Sequence, residues 1–220
     1  MSITFEDIKN SEIVKAYIMQ ADNNLAGLGY TEHNHAHALI VANRASELLK
    51  QLNYDDKYVE LTKIAGYLHD IGNLINRNDH ALLGGLLSTN VLSSMGMDYK
   101  DVALIASAIG NHDEDTGAPI NEMAAAIILA DKSDMRRSRV RNRNRETFDI
   151  HDRVNYSVTQ TELLLDSEKK VIQLNLKIDT EVSAVMDYFE IFLGRMMFCR
   201  KAAEKLKLQF HLNINGQKLL

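Results

Sequence analysis

A single cysteine, Cys199, and a single proline, Pro119, stand in 220 residues. One thiol excludes an internal disulfide and any metal site built from cysteine pairs, and it fits a reducing compartment. No apolar run is long enough to span a bilayer and no stretch reads as a secretory signal, so we expect a cytoplasmic protein without membrane contact. There is no internal repeat and no low-complexity linker. What is present describes a globular chain, 45% hydrophobic and 25% charged, with a net charge of −5. That net value conceals an inversion. Lys132–Arg145 carries one lysine and six arginines against the lone acid Asp134.

Apolar residues recur at helical spacing through most of the chain. Ser11 is placed to cap a helix carrying Ile13, Val14, Tyr17 and Ile18 that ends near Gly27 or Gly29. A second helix follows the histidine-rich Tyr30–His37 and turns Val41, Ala42, Ala45, Leu48, Leu49 and Leu52 inward. Asp55 and Asp56 open a central helix with Ile64, Ala65 and Leu68 on one face, and Gly72 is expected as the left-handed residue just past its end. Asp79 opens a fourth helix closed by Gly96, and Asp98–Asn111 reads as a fifth. Pro119 lies in a loop, after which Asn121 starts the helix Met123–Asp134.

The pattern changes after Arg145. Val154–Leu165 and Val171–Ile178 read as strands, Thr180–Leu206 as a long helix, and Leu208–Leu220 as two short strands around the turn Asn215-Gly216. The expected fold class is mainly α: a helical bundle over residues 1–145 with a small C-terminal α+β appendage over 146–220, its strands in one sheet under the helix. Met196, Met197 and Phe198 are consecutive and cannot all face one side, so a homodimer contact is one way to cover them.

Six of the eight histidines lie between Glu32 and His112. His69 and Asp70 stand together at the end of the central helix, and burying that carboxylate without partners is costly. His37 lies on the first turn of a helix expected to pack beside it. Asp131 interrupts the apolar helix around Ile127–Ala130. Two imidazoles and two carboxylates form a mixed nitrogen–oxygen set suited to a divalent transition metal such as Fe, Mn, Co, Ni or Zn, with room for water.

The segments His37-Ala-Leu-Ile-Val-Ala, Leu68-His69-Asp70-Ile-Gly72 and Ala130-Asp131-Lys132 resemble those of the HD-domain superfamily of metal-dependent phosphohydrolases. The resemblance covers roughly Thr31 to Asp134. It implies an all-α core in which His37, His69, Asp70 and Asp131 hold one metal ion. In binuclear members, ligands to a second ion stand where this chain has His80 and His112, and the Asp70 position bridges the two. Two ions, with Fe or Mn favoured, are therefore expected. In trinuclear members of the cyclic-dinucleotide branch a carboxylate stands at the place of His33, which makes His33 a candidate for a third site or an outer-shell partner. The segment His112–Pro119 lacks that branch's second histidine and is shorter, which argues against cyclic-dinucleotide hydrolysis. His35, His151 and His211 are read as ordinary, and Cys199 as inert packing.

The basic run begins one residue after Asp131. Guanidinium groups bind phosphate in pairs of hydrogen bonds, and Arg136 and Arg137 lie within two turns of Asp131 if the helix continues. They are the candidates for the phosphate of a small-molecule substrate. Asp70 or Asp131 is the candidate acceptor for the proton of the attacking water, and Lys132 the candidate acid. Strict alternation from Arg137 to Arg145 could also align five arginines as a nucleic-acid track, although no aromatic residue interleaves them. The expected activity is hydrolysis of a phosphate ester or anhydride, nucleotide-like, by hydroxide generated at a binuclear centre. The alternatives are an HD-type di-iron oxygenase and a non-catalytic nucleotide- or nucleic-acid-binding regulator.

Overall fold

In a computed structural model, residues 3–220 are described, and among them are nine α-helices and one four-stranded sheet. Side-chain caps set most helix starts. Thr4 and Asp7 form a capping box on α1 (Phe5–Asn10), a short helix the sequence pattern did not single out. α2 (Glu12–Gly27) follows and ends before Gly29, which has φ +82°. The Asn34 side chain accepts from the N–H groups of Ala36 and His37 to start α3 (His35–Gln51). Asp55 caps α4 (Asp56–Leu68). α5 (His80–Ser94) leads to Gly96 at φ +86°, and Asp98 caps α6 (Tyr99–Ile109).

Asn121 caps α7 (Glu122–Lys132), the most enclosed helix of the molecule. Met123 to Ala130 are each at most 1% exposed, as a helix apolar on every side requires. α3, α4 and α6 pack against it. Its burial is what delivers Asp131 to the interior.

α4 stops at Leu68, and a 3-10 turn over Ile71–Leu74 follows. Gly72 is not left-handed, contrary to expectation. Glycine is needed there because a Cβ would collide with the His80 carbonyl and the Gly84 nitrogen. The turn after His69-Asp70 is thereby pressed onto the start of α5, which carries His80.

Beyond α7 the backbone is irregular, with 3-10 turns at Arg137–Arg139 and Arg145–Thr147, so the helix does not continue through the arginines. α8 (Ile150–Ser157) replaces the first part of the expected strand. The Asp149 carboxylate caps it through the Asp152 N–H, and Val154 is fully buried from it. The sheet then has the order β1 (Val158–Asp166), β2 (Val171–Ile178), β3 (Gln209–Ile214), β4 (Gln217–Lys218). β1–β2 and β3–β4 are antiparallel, the latter joined by Asn215 and Gly216, both at positive φ. β2 and β3 are parallel, so a crossover must join them.

That crossover is α9 (Val185–Lys205). It starts five residues later than expected because Asp179–Ser183 forms a turn and the Asp187 carboxylate accepts from Ser183 and Ala184. Ile172, Leu174, Leu176, Phe210, Leu212 and Ile214 alternate on the buried face of the sheet. α9 packs on β3 and also on α7, so Met196 and Phe198 are both buried within one chain and the apolar triple needs no partner to explain it. Cys199 is buried there too, and burial pushes its thiol up to about 12. One apolar cluster runs without a break across residue 145.

Candidate metal centre

Four imidazoles are fixed by one nitrogen and left open at the other. His69 Nδ1 lies 2.8 Å from the Gly66 carbonyl, His80 Nδ1 3.1 Å from Arg77, and His112 Nδ1 2.7 Å from Ile109. Gly66 and Ile109 belong to the last turns of α4 and α6, where carbonyls lack an intrahelical partner. His37 Nδ1 lies 2.8 Å from Asp134 Oδ2. In the neutral ring, an Nδ1–H donating in this way leaves Nε2 as a lone pair. The Nε2 atoms of His37, His69 and His112 are buried without a hydrogen-bond partner. Buried polar atoms are rarely left so, and these three converge.

They converge on two carboxylates. Asp70 Oδ2 lies 3.2 Å from His69 Nε2 and 3.7 Å from His37 Nε2, while its Oδ1 lies 3.5 Å from His80 and 3.8 Å from His112. Asp131 Oδ1 lies 3.3 Å from His37 Nε2 and 3.7 Å from His69 Nε2. Ligand bonds of about 2.0–2.2 Å place two donors of one ion roughly 3–3.5 Å apart, so the donor set fits divalent metal. Asp70 has one oxygen toward each half of the cluster. His33 lies before the N-terminus of α3 rather than on it, yet its ring centre is 5.4 Å from that of His37. His35 reaches the Tyr67 hydroxyl instead.

The centre favours positive charge. Burial opposes ionisation of His69, but Asp70 and Asp131 raise its imidazole to about 10. Burial, only partly offset by Asp70, lowers His80 to about 3. Burial also acts against the anionic forms of Asp70 and Asp131, and the charges of His69 and Lys132 respectively reverse its effect, holding both well below the usual carboxylate range. The Lys132 ammonium sits 2.8 Å from Asp131 Oδ2 and 2.6 Å from Glu114 Oε2, which outweigh burial and keep it charged.

A cavity of about 350 Å³ opens on Asp70, His80 and Asp131. Lys132 and His33 line it, and so do three arginines: Arg77, Arg139 and Arg195. Arg136 and Arg137 line a separate groove instead. Arg136 is paired with Asp134, and Arg137 lies with its guanidinium carbon 4.4 Å from the centre of the Tyr156 ring. Sequence reasoning missed Asp134, Arg139, Arg195 and His151. Arg195 carried a signal, a charge between Gly194 and Met196 on an apolar helix, and it reaches Glu114 Oε1 at 2.7 Å. His151 precedes the expected strand Val154–Leu165; it stands on the first turn of α8 and lines the cavity from there.

Residues 34–136 match the family model of the HD domain. This part of the chain belongs to the HD-domain superfamily. The matched segment begins at the cap of α3 and ends just past α7, so it encloses all six clustered residues. HD-domain membership implies metal-dependent hydrolase chemistry and a divalent metal. The chain is also similar to an uncharacterized protein of Methanocaldococcus jannaschii, 28% identical over 199 residues, covering 80% of this chain and 76% of that protein. No helix among the described residues is long and apolar enough to cross a membrane.

Proposed function

We propose that this HD-domain protein hydrolyses a phosphate ester or anhydride of a small, nucleotide-like molecule at a centre of two divalent ions, Fe or Mn ahead of Zn, Co and Ni. The observation that carries this reading is the set of three buried, unpartnered Nε2 atoms facing two carboxylates beside a cavity rimmed by arginines. His37, His69, Asp70 and Asp131 would hold one ion, and His80 and His112 the other, with Asp70 shared. Bound ions supply a Lewis acid for a phosphoryl oxygen and lower the pKa of water.

The remaining work falls to side chains. Arg139 has Nε and Nη1 engaged by the carbonyls of Glu32 and Asp134, which leaves Nη2 for a phosphate oxygen in the cavity it lines. Arg195, anchored on Glu114, approaches from α9. Phosphoryl transfer needs mainly positioning and charge neutralisation, and these cations supply both. Lys132, buried between two carboxylates, acts here as a fixed charge rather than as the acid. Asp131 Oδ2, the oxygen turned toward Lys132, is the atom we assign to the proton of the attacking water. His151 and Asn155 of α8 line the cavity and would face the organic part of the substrate.

The test is elemental analysis of the purified protein, followed by a screen of phosphorylated metabolites with the metal it retains. Release of phosphate from a nucleotide or sugar phosphate is expected. A fully loaded protein inert toward the whole panel, or one that consumes oxygen instead, would overturn the reading.

A further inference from the structure

Six arginines leave α7 in near alternation, yet they do not share a face. Arg139 and Arg141 turn back to α2 and the loop after it, where Arg139 donates to the Glu32 carbonyl and Arg141 pairs with Asp22 of α2 and the Tyr30 carbonyl. Arg145 donates to the Tyr156 hydroxyl and lies over that ring. The other three, Arg136, Arg137 and Arg143, line a groove of about 510 Å³ with Ser138, Thr159 and Gln160. No aspartate or glutamate lines it, and it shares no lining residue with the metal cavity. The segment Asp134–Arg139 runs between the two, with Asp134, Met135 and Arg139 on the cavity and Arg136, Arg137 and Ser138 on the groove.

We propose that this groove is a second binding site, for a small oligophosphate, either free or as the phosphate tail of a nucleotide. Guanidinium groups match phosphate oxygens in shape as well as charge. Arg143 is exposed, with no carboxylate in the groove to neutralise it. Arg137 donates from Nε to the Tyr156 carbonyl, and its Nη2, buried without a hydrogen bond, forms an ion pair with Asp179 at 3.6 Å. Arg136 is bound to Asp134, but that carboxylate also accepts from His37 and approaches Arg139 to 3.9 Å, so one anion is shared by two arginines. With Arg143 unpaired and Asp134 shared by two arginines, the groove keeps net positive charge, which suits an anionic ligand. The bounded groove, with Arg139 and Arg141 turned away, does not make the continuous track that a long nucleic acid needs.

The proposal is independent of the hydrolase reading and is tested apart from it. EDTA-treated full-length protein, as wild type and as Asp70→Ala, is titrated calorimetrically with tripolyphosphate, ATP and adenosine. Tripolyphosphate and ATP should bind with similar affinity in both backgrounds, adenosine should not bind, and Arg143→Glu should weaken tripolyphosphate by about tenfold or more. Arg143 is exposed, so the charge reversal should leave the fold intact, which the thermal transition will check. Absence of tripolyphosphate binding, or binding indifferent to Arg143→Glu, overturns the proposal. So does adenosine binding as tightly as ATP, or a single-stranded RNA that binds far more tightly than tripolyphosphate and loses affinity on Arg143→Glu.

Discussion

The imidazoles of His33, His37, His69, His112 and His80 follow one another at ring-centre spacings of 5.0–5.4 Å, whereas the six arginines after Asp134 disperse to a loop, a tyrosine, a groove and a cavity. The arginines are dense in the sequence, six within ten residues, yet it is the histidines, spread over 80, that are dense in space. The difference lies in what holds them. His37 and His80 occupy first turns of helices, and His69 and His112 stand at or just past helix ends, three of the four braced by a carbonyl three residues back. A short, stiff side chain on such a frame has little freedom. The arginines sit on irregular backbone, where each long side chain finds its own partner. Density of a residue type is informative about a site when regular structure fixes where the side chains go.

The largest expected effect is on the histidine side of that contrast. Asp70→Ala, which removes the carboxylate reaching both halves of the cluster, should lose both ions and cut hydrolysis by about 10³-fold, the scale of several kcal/mol that metal ions contribute. Elemental analysis beside the rate would decide it, and a variant that keeps its metal would break the comparison. Gly72→Ala comes next. The added Cβ meets backbone of α5, so the cost should reach ~3 kcal/mol, read in a urea transition. His80→Ala and His112→Ala should each leave one ion bound, and His33→Ala should leave two. Chelation should lower the thermal transition of the wild type, since a ligand of the native state at a hundredfold excess over Kd contributes about 2.7 kcal/mol.

The helical core was legible because caps and apolar periodicity agree there: Asp55, Asp98 and Asn121 each mark a helix start that the structure has. The HD segments could be read through their resemblance to a known family. Two kinds of information were not in the local pattern. Val154–Ser157 has the β-branched look of a strand, but the Asp149 cap and the buried Val154 hold it helical. Gly72 was read as a turn residue, and its real constraint comes from α5, which no local spacing can show. The same holds for Arg195, brought to the cavity by a crossover helix whose path depends on parallel pairing of β2 and β3. Arg139 was inside a run already singled out. Choosing it over Arg136 required knowing that α7 stops at Lys132.

The arginines therefore give the finer test, because the hydrolase reading assigns them unequal shares. Arg139 lines the cavity with a guanidinium already oriented by two carbonyls, so Arg139→Ala should reduce kcat/KM more than tenfold, a loss above ~1.4 kcal/mol. It also clasps the loop that carries His33, so Arg139→Lys and the thermal transition are needed beside it to separate lost phosphate binding from a loosened loop. Arg145 is exposed, contacts the Tyr156 hydroxyl and ring, and lines neither the cavity nor the groove. Arg145→Ala should change kcat/KM by less than about twofold at moderate salt, where exposed charges are screened beyond about 10 Å. A long polyanionic substrate makes a different forecast. Every arginine of the run would then matter comparably, and binding would fall steeply as salt rises. Measuring Arg139→Ala and Arg145→Ala at two salt concentrations separates these cases. Similar losses at both positions, growing at low salt, would mean that the dispersed arginines act together after all, and that the substrate is a polymer rather than a small phosphate.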